Sequence, residues 1–193
     1  IDSLNKMKFV KKIDLIKTLN IRLSAQNLVV TFHPITLEKI TSERQIDELI
    51  KSLSKLKETT IVFTLPNSDA DSRIMIEKIE TFKKNNSNIY LFNSLGQLYY
   101  FSLIKIFDGV IGNSSSGLIE VPSLKKGTIN IGDRQKGRLL ATSVINCDVN
   151  NKSISKAIKK LKSETFQKTL EKTINPYKSY NPINKIISVI KRT

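Results

Sequence analysis

The sequence predicts an α/β fold, a doubly wound parallel sheet with helices on both faces. Short β-rich runs alternate with amphipathic helical runs, the signature of βαβ units rather than of hairpins. Gly109-Val110-Ile111-Gly112 reads as a short, fully buried strand. The unusual polar and charged clusters each follow a strand, where the loops at the carboxyl edge of such a sheet converge.

Taken in order, Leu28-Val29-Val30-Thr31-Phe32 is the first strand. A helix is expected over 38–57, because Ile46, Leu49, Ile50, Leu53 and Leu56 recur at three- and four-residue spacing. The second strand, 61–65, is stopped by Pro66-Asn67. Residues 71–85 form a helix carrying Ile74, Met75, Ile79 and Phe82, and 88–92 the third strand. Ser94 suits the cap of a helix that runs to Phe107. The strand at 109–112 leads into Asn113-Ser114-Ser115-Ser116-Gly117 and a helix through Glu120. Residues 128–131 make a further strand ending at Gly132, and 154–161 and 183–190 are closing helices. Asn175-Pro176 and Asn181-Pro182 set the last helix apart. Residues 1–24 read as a helical, polar lead-in, so the expectation is one domain over 1–193 with no internal repeat.

Composition narrows the function classes. At 193 residues, 39% hydrophobic and 25% charged, the chain has the make-up of a soluble globular domain. No apolar run approaches the ~20 residues of a membrane span, and Ile1-Asp2-Ser3-Leu4 lacks the basic and apolar segments of a secretory signal. The single cysteine, Cys147, rules out an internal disulfide framework and suits a reducing compartment, so a cytoplasmic location is expected. One histidine and one cysteine cannot supply a zinc site, and neither a metal nor a cofactor is expected. The net charge of +15 is spread over nearly every segment rather than drawn into a stripe. It would attract an anionic ligand, but without aromatic-rich basic strands it does not point to nucleic acid.

Four clusters could carry chemistry. The serine turn, Gly112 to Gly117, places helix N–H groups and the hydroxyls of Ser114, Ser115 and Ser116 where phosphate oxygens could bind. A plain capped turn is the other reading. Glu120 follows about one helical turn later and could accept hydrogen bonds from ribose hydroxyls. Gly132-Asp133-Arg134-Gln135-Lys136-Gly137-Arg138 is a cationic loop whose forked donors could grip an anion, or an ordinary solvated loop. His33, in Thr31-Phe32-His33-Pro34-Ile35-Thr36, ends the first strand and could serve acid–base chemistry or hold phosphate, or be structural. Asn67-Ser68-Asp69-Ala70, after the second strand, could bind a sugar or nucleotide or cap the next helix. No Gly-Lys-Ser/Thr phosphate loop, Gly-x-Gly-x-x-Gly fingerprint or nucleophile elbow is present.

Together with Ser94-Leu95-Gly96-Gln97, these segments resemble the carboxy-terminal domain of UDP-N-acetylglucosamine 2-epimerases, in particular the hydrolysing type of sialic acid biosynthesis. The resemblance spans residues 28 to about 145 and rests on the combination rather than on any one piece. It implies a Rossmann-like domain, the second of two in the GT-B arrangement, with the amino-terminal domain missing. Residues 1–24 would lead in from the interdomain connection, and 182–193 would be a helix crossing back.

The resemblance also implies roles. Ser114 and Ser115, with Ser116, Arg134 and Arg138, would hold the diphosphate of UDP, Glu120 the ribose, and Leu91 and Phe92 the surroundings of the uracil. Asn67 would add to the nucleotide contacts, and His33 would stand as the catalytic residue near the diphosphate and reacting sugar. The family reaction eliminates UDP to a 2-acetamidoglucal and adds water with inversion at C2, giving N-acetylmannosamine. Its carboxylates come mainly from the first domain, so UDP binding without turnover is expected of this chain. Alternatives are a hydrolysing enzyme for a UDP-diacetylbacillosamine-type sugar, the non-hydrolysing epimerase, or another GT-B glycosyltransferase. The expected partners are UDP or a UDP-sugar and the missing domain, with room for a homo-oligomer in the full-length form.

Overall fold

The computed structural model describes residues 2–35, 40–66, 70–178 and 190. Six strands, β1 (Gln26–Thr31), β2 (Thr59–Thr64), β3 (Ile89–Phe92), β4 (Gly109–Gly112), β5 (Gly127–Ile131) and β6 (Val144–Cys147), form one sheet. Every pairing is parallel and the order is β3-β2-β1-β4-β5-β6. This is the doubly wound topology that the alternation of runs predicts, with its switch point between β1 and β4.

Side-chain alternation along the strands divides the core in two. Leu28, Val30, Ile61, Phe63, Ile111 and Ile129 face the helices α3 (Ser42–Leu53), α4 (Ala70–Lys84), α7 (Asn151–Lys162) and α8 (Glu164–Glu171). Val29, Val62 and Val110 face the other way, toward α2 (Lys12–Leu19) and α5 (Gly96–Ile106). The short helix α1 (Asp2–Asn5) joins this second face through buried Leu4. The amino-terminal segment is therefore more than a polar lead-in. Leu15 and Ile21 are buried, and the Val10 N–H donates to Ser102 Oγ of α5 at 3.0 Å.

Several boundaries differ from the sequence expectation. The first strand begins at Gln26, because Asn27 is held by Asp108 Oδ2 (N–H donor, 2.6 Å) and its side chain bonds Ser24. The helix expected over 38–57 is observed at Ser42–Leu53, capped by Thr41 Oγ1 accepting from the Arg44 N–H, and residues 36–39 lie outside the described structure. Ser94 Oγ accepts from the Gly96 N–H (3.2 Å), and the cap position of α5 is Leu95. After β4 the helix α6 lasts one turn, Ser116–Ile119, and a 3-10 turn follows at Val121–Leu124. Pro122 explains the early stop, since it lacks a donor and disfavours the α conformation at the residue before it. The expected helix over 183–190 falls almost wholly outside the described residues.

Candidate functional site

The register draws one row across the carboxyl edge of the sheet: Phe92, Thr64, Thr31, Gly112, Asn130, Asn146. Of the expected site residues, Phe92 lies in this row, and His33, Ser114 and Arg134 follow its members Thr31, Gly112 and Asn130 in the loops. Gly112 shows why the chain needs glycine there. Its φ is +144°, and a Cβ would sit 1.9 Å from the Thr31 carbonyl oxygen. The absent side chain lets β4 close on β1, so the loops after both strands emerge side by side.

Asn113 then ties three loops together. It is 1% exposed, and its own N–H donates to the Thr31 carbonyl at 3.1 Å. The His33 N–H donates to Asn113 Oδ1 and Asn113 Nδ2 donates back to the His33 carbonyl, both at 2.8 Å. The Asn113 carbonyl accepts from Arg134 Nη1 at 3.1 Å and Gln135 Nε2 at 2.8 Å. The serine turn, His33 and Arg134 are thus brought to one rim, around a residue whose role the sequence alone does not announce. Its only signal is faint, an Asn beside a serine run.

The serine turn is itself organised. The N–H groups from Gly117 to Glu120 are taken up by carbonyls of Ser114, Ser115 and Ser116, and the Ser116 N–H donates to Ser114 Oγ at 3.4 Å. Ser114 Oγ and Ser116 Oγ are 3.3 Å apart, and Ser116 Oγ also meets the Tyr100 hydroxyl at 2.9 Å. Tyr100 stands 3.5 Å from Thr31 Oγ1, which lies 2.5 Å from Thr64 Oγ1. A row of hydroxyls therefore runs from β2 to the serines. Burial raises the pKa of the Tyr100 hydroxyl above its ordinary value, partly offset by its hydrogen bonds to Ser116 and Thr31, so it stays a neutral hydroxyl.

Glu120 follows α6 and is half-buried; burial raises its carboxyl above the usual range. None of the ion pairs among the described residues includes it. A carboxylate in that setting would gain from hydroxyl donors. Leu91 and Phe92 end β3, half-buried, at the same edge. Three strand spacings separate Phe92 from Gly112, roughly 14 Å. Asn67 lies outside the described residues.

Arg138 is placed differently from the other candidates. It lines a cavity beside β6 and α7, and neither the serine turn nor His33 takes part in that lining. Burial pushes the Cys147 thiol up to about 12, so it is no thiolate ligand at neutral pH. Among the described residues no three His, Cys, Asp or Glu side chains gather as a metal group. No described helix is long and apolar enough to cross a membrane.

A doubly wound sheet with donors gathered at its switch point defines a class, the Rossmann-like domains that take ligands at the carboxyl edge of the strands. Within that class the chain belongs to the UDP-N-acetylglucosamine 2-epimerase family, whose model matches residues 1–191. It is 43% identical over 164 residues to the polysialic acid biosynthesis protein P7 of Escherichia coli, covering 84% of this chain. It is 39% identical over 162 residues to the Campylobacter jejuni GDP/UDP-N,N'-diacetylbacillosamine 2-epimerase (hydrolyzing), covering 83%. In both cases the match takes in 42% of the relative's length. Among solved structures, the S. aureus MnaA–UDP complex superposes with a TM-score of 0.75 at 15% identity, over 99% of this chain and 52% of that one. The Methanocaldococcus jannaschii UDP-GlcNAc 2-epimerase, in complex with UDP-GlcNAc and UDP, gives 0.70 at 15% identity, over 95% and 49%.

Proposed function

We propose that this chain is the UDP-binding half of a hydrolysing UDP-N-acetylglucosamine 2-epimerase and does not turn over by itself. The observation that carries the reading is the rim at the switch point, where Asn113 holds His33, the serine turn and Arg134 together. Ser114, Ser115 and Ser116 take the diphosphate, with Arg134 beside it, and Glu120 takes the ribose hydroxyls. Leu91 and Phe92 flank the uracil. Family membership and the hydrolysing name of the C. jejuni relative support this assignment.

In the complete reaction the C1–O bond to the diphosphate breaks as a proton leaves C2, giving the 2-acetamidoglucal and UDP. Water then adds across the double bond with inversion at C2 to yield N-acetylmannosamine. Negative charge grows on the departing diphosphate, which calls for donors already oriented before the bond breaks. The serine turn, Arg134 and His33 meet that need. Proton removal at C2 and the later hydration call for a pair of carboxylates, and the half-length match to the relatives supports a first domain as their source.

Calorimetric titration tests the reading. UDP is expected to bind at one site per chain, while UDP-N-acetylglucosamine incubated with the chain releases no UDP. Absence of UDP binding, with tight salt-sensitive binding of an oligonucleotide, would falsify it. A second reading, a diacetylbacillosamine-type UDP-sugar as substrate, is favoured by the C. jejuni relative. Because that relative's name includes GDP, a GDP titration belongs beside the UDP one. Preference for GDP would move the assignment to a GDP-linked diacetylbacillosamine-type sugar.

A further inference from the structure

A cavity of about 690 Å³ opens on the far side of the 132–138 loop, between that loop, the edge strand β6 and helix α7. Small-molecule sites occupy roughly 300–1,000 Å³. Two of the side chains lining it, Asn130 and Gln135, are each 5% exposed, and each leaves its amide oxygen buried without a partner. Their orientation is fixed by what the nitrogens do. Gln135 Nε2 donates to the Asn113 carbonyl at 2.8 Å, and Asn130 Nδ2 donates to Asn146 Oδ1 at 2.9 Å. Two acceptors in the cavity wall are therefore buried without a donor among the described residues.

Cations surround the same cavity. Arg138, Lys156 and Lys160 line it, are exposed, and take part in no ion pair among the described residues. The acidic groups present are already engaged: Asp133 pairs with Lys136 at 3.2 Å, and Asp148 accepts from Ser153 Oγ at 3.2 Å. We propose that this cavity is a second ligand site, separate from the nucleotide rim, for a small hydroxylated anion, a sugar bearing a phosphate or a carboxylate. Its anionic group meets Arg138, Lys156 and Lys160, and its hydroxyls face the polar wall to which Asn130 and Gln135 belong. Gln135 belongs to both places, since it lines the cavity while its side-chain nitrogen helps to hold Asn113, which in turn holds His33. The inference stands on the cavity and does not depend on the nucleotide assignment.

Calorimetry on the whole chain decides it, with glucose 6-phosphate and glucuronate as probes for the two anion types and glucose and inorganic phosphate as controls. One of the two sugar acids is expected to bind at one site, with a Kd on the order of 1 mM. Glucose and inorganic phosphate should each bind at least about tenfold more weakly. Saturating UDP should leave the binding unchanged. The exposed-lysine variant K156A/K160A should lose at least about tenfold in sugar-acid affinity, with melting temperature and UDP binding intact. Four results would overturn the proposal: no binding of either sugar acid at about ten times that concentration, equal binding of inorganic phosphate, competition by UDP, or undiminished binding by the double variant. Sugar-acid binding in a chain that ignores UDP would uphold the cavity and remove the rim assignment instead.

Discussion

Asn113 engages both ends of its side-chain amide with the main chain of His33, while its own carbonyl serves Arg134 and Gln135. Replacing it by Ala removes both of those hydrogen bonds, at about 0.5–1.5 kcal/mol each. Asn113→Ala is therefore expected to lose about 1–3 kcal/mol in urea unfolding and most of its UDP affinity. Asn113→Asp should not rescue it, because a carboxylate repels the His33 carbonyl that the amide nitrogen serves. A near-neutral Ala variant would show that the loops hold together by other means. Glu120 carries a pH signature. Burial raises its folded-state pKa, so between the ordinary carboxylate range and that raised value the folded chain holds more protons than the unfolded one. Stability then falls as pH rises through the window. Glu120→Gln should accordingly be the more stable protein at neutral pH and lose that advantage in acid. Ribose hydroxyls favour the ionised carboxylate, so wild-type UDP affinity should weaken as pH drops through the same window, whereas the Gln variant follows only the nucleotide's own titration. Parallel pH profiles of the two proteins would remove Glu120 from the ribose site.

The elements that could be read from sequence are those covered on both faces, or with apolar residues recurring at helical spacing. β4 is all apolar and glycine, and α3 repeats Ile46, Leu49 and Leu53 along one side, so both were legible. β6 was not, because an edge strand pairs on one side only and tolerates the exposed Asn146 at its centre. Helix α8 has just Phe166 and Leu170 buried, too few for a periodic signal. The site divides along the same line. Its side chains stand out as clusters after strands, but their convergence on Asn113 depends on β1 and β4 being neighbours, a fact of topology rather than of local sequence. Two glycines test how far the loops rely on tight closure between elements. At Gly112 a Cβ would collide with the Thr31 carbonyl in the middle of the sheet, so Gly112→Ala should fail to give soluble, cooperatively melting protein. Gly137 has φ +84°, and an added methyl group there would meet nothing within 4 Å, so Gly137→Ala should cost only about 1 kcal/mol of backbone strain. Comparable expression and melting of the two variants would contradict the close approach of β4 to β1.

At the scale of the whole molecule, the net charge of +15 acts on folding and on binding with opposite sign. Lysines without an acidic partner repel one another most in the compact state, so the fold is penalised at low ionic strength. The same field would draw the diphosphate of the proposed nucleotide toward the rim. Raising salt shortens the screening length to about 10 Å at 0.1 M and weakens both effects. Between about 0.02 and about 0.2 M NaCl the ligand-free chain should therefore melt at a higher temperature, while its UDP Kd rises several-fold. With UDP held at a fixed concentration, the extra stabilisation it confers depends on the ratio of that concentration to Kd, so it should shrink across the same series. The melting curves with and without UDP are expected to converge as salt increases. Uridine, which has the base and ribose but no diphosphate, separates general from local effects: its weak binding should be insensitive to salt. A UDP Kd that stays constant across the series would mean that the diphosphate lies outside the positive field, and the serine turn and Arg134 would lose their claim to it.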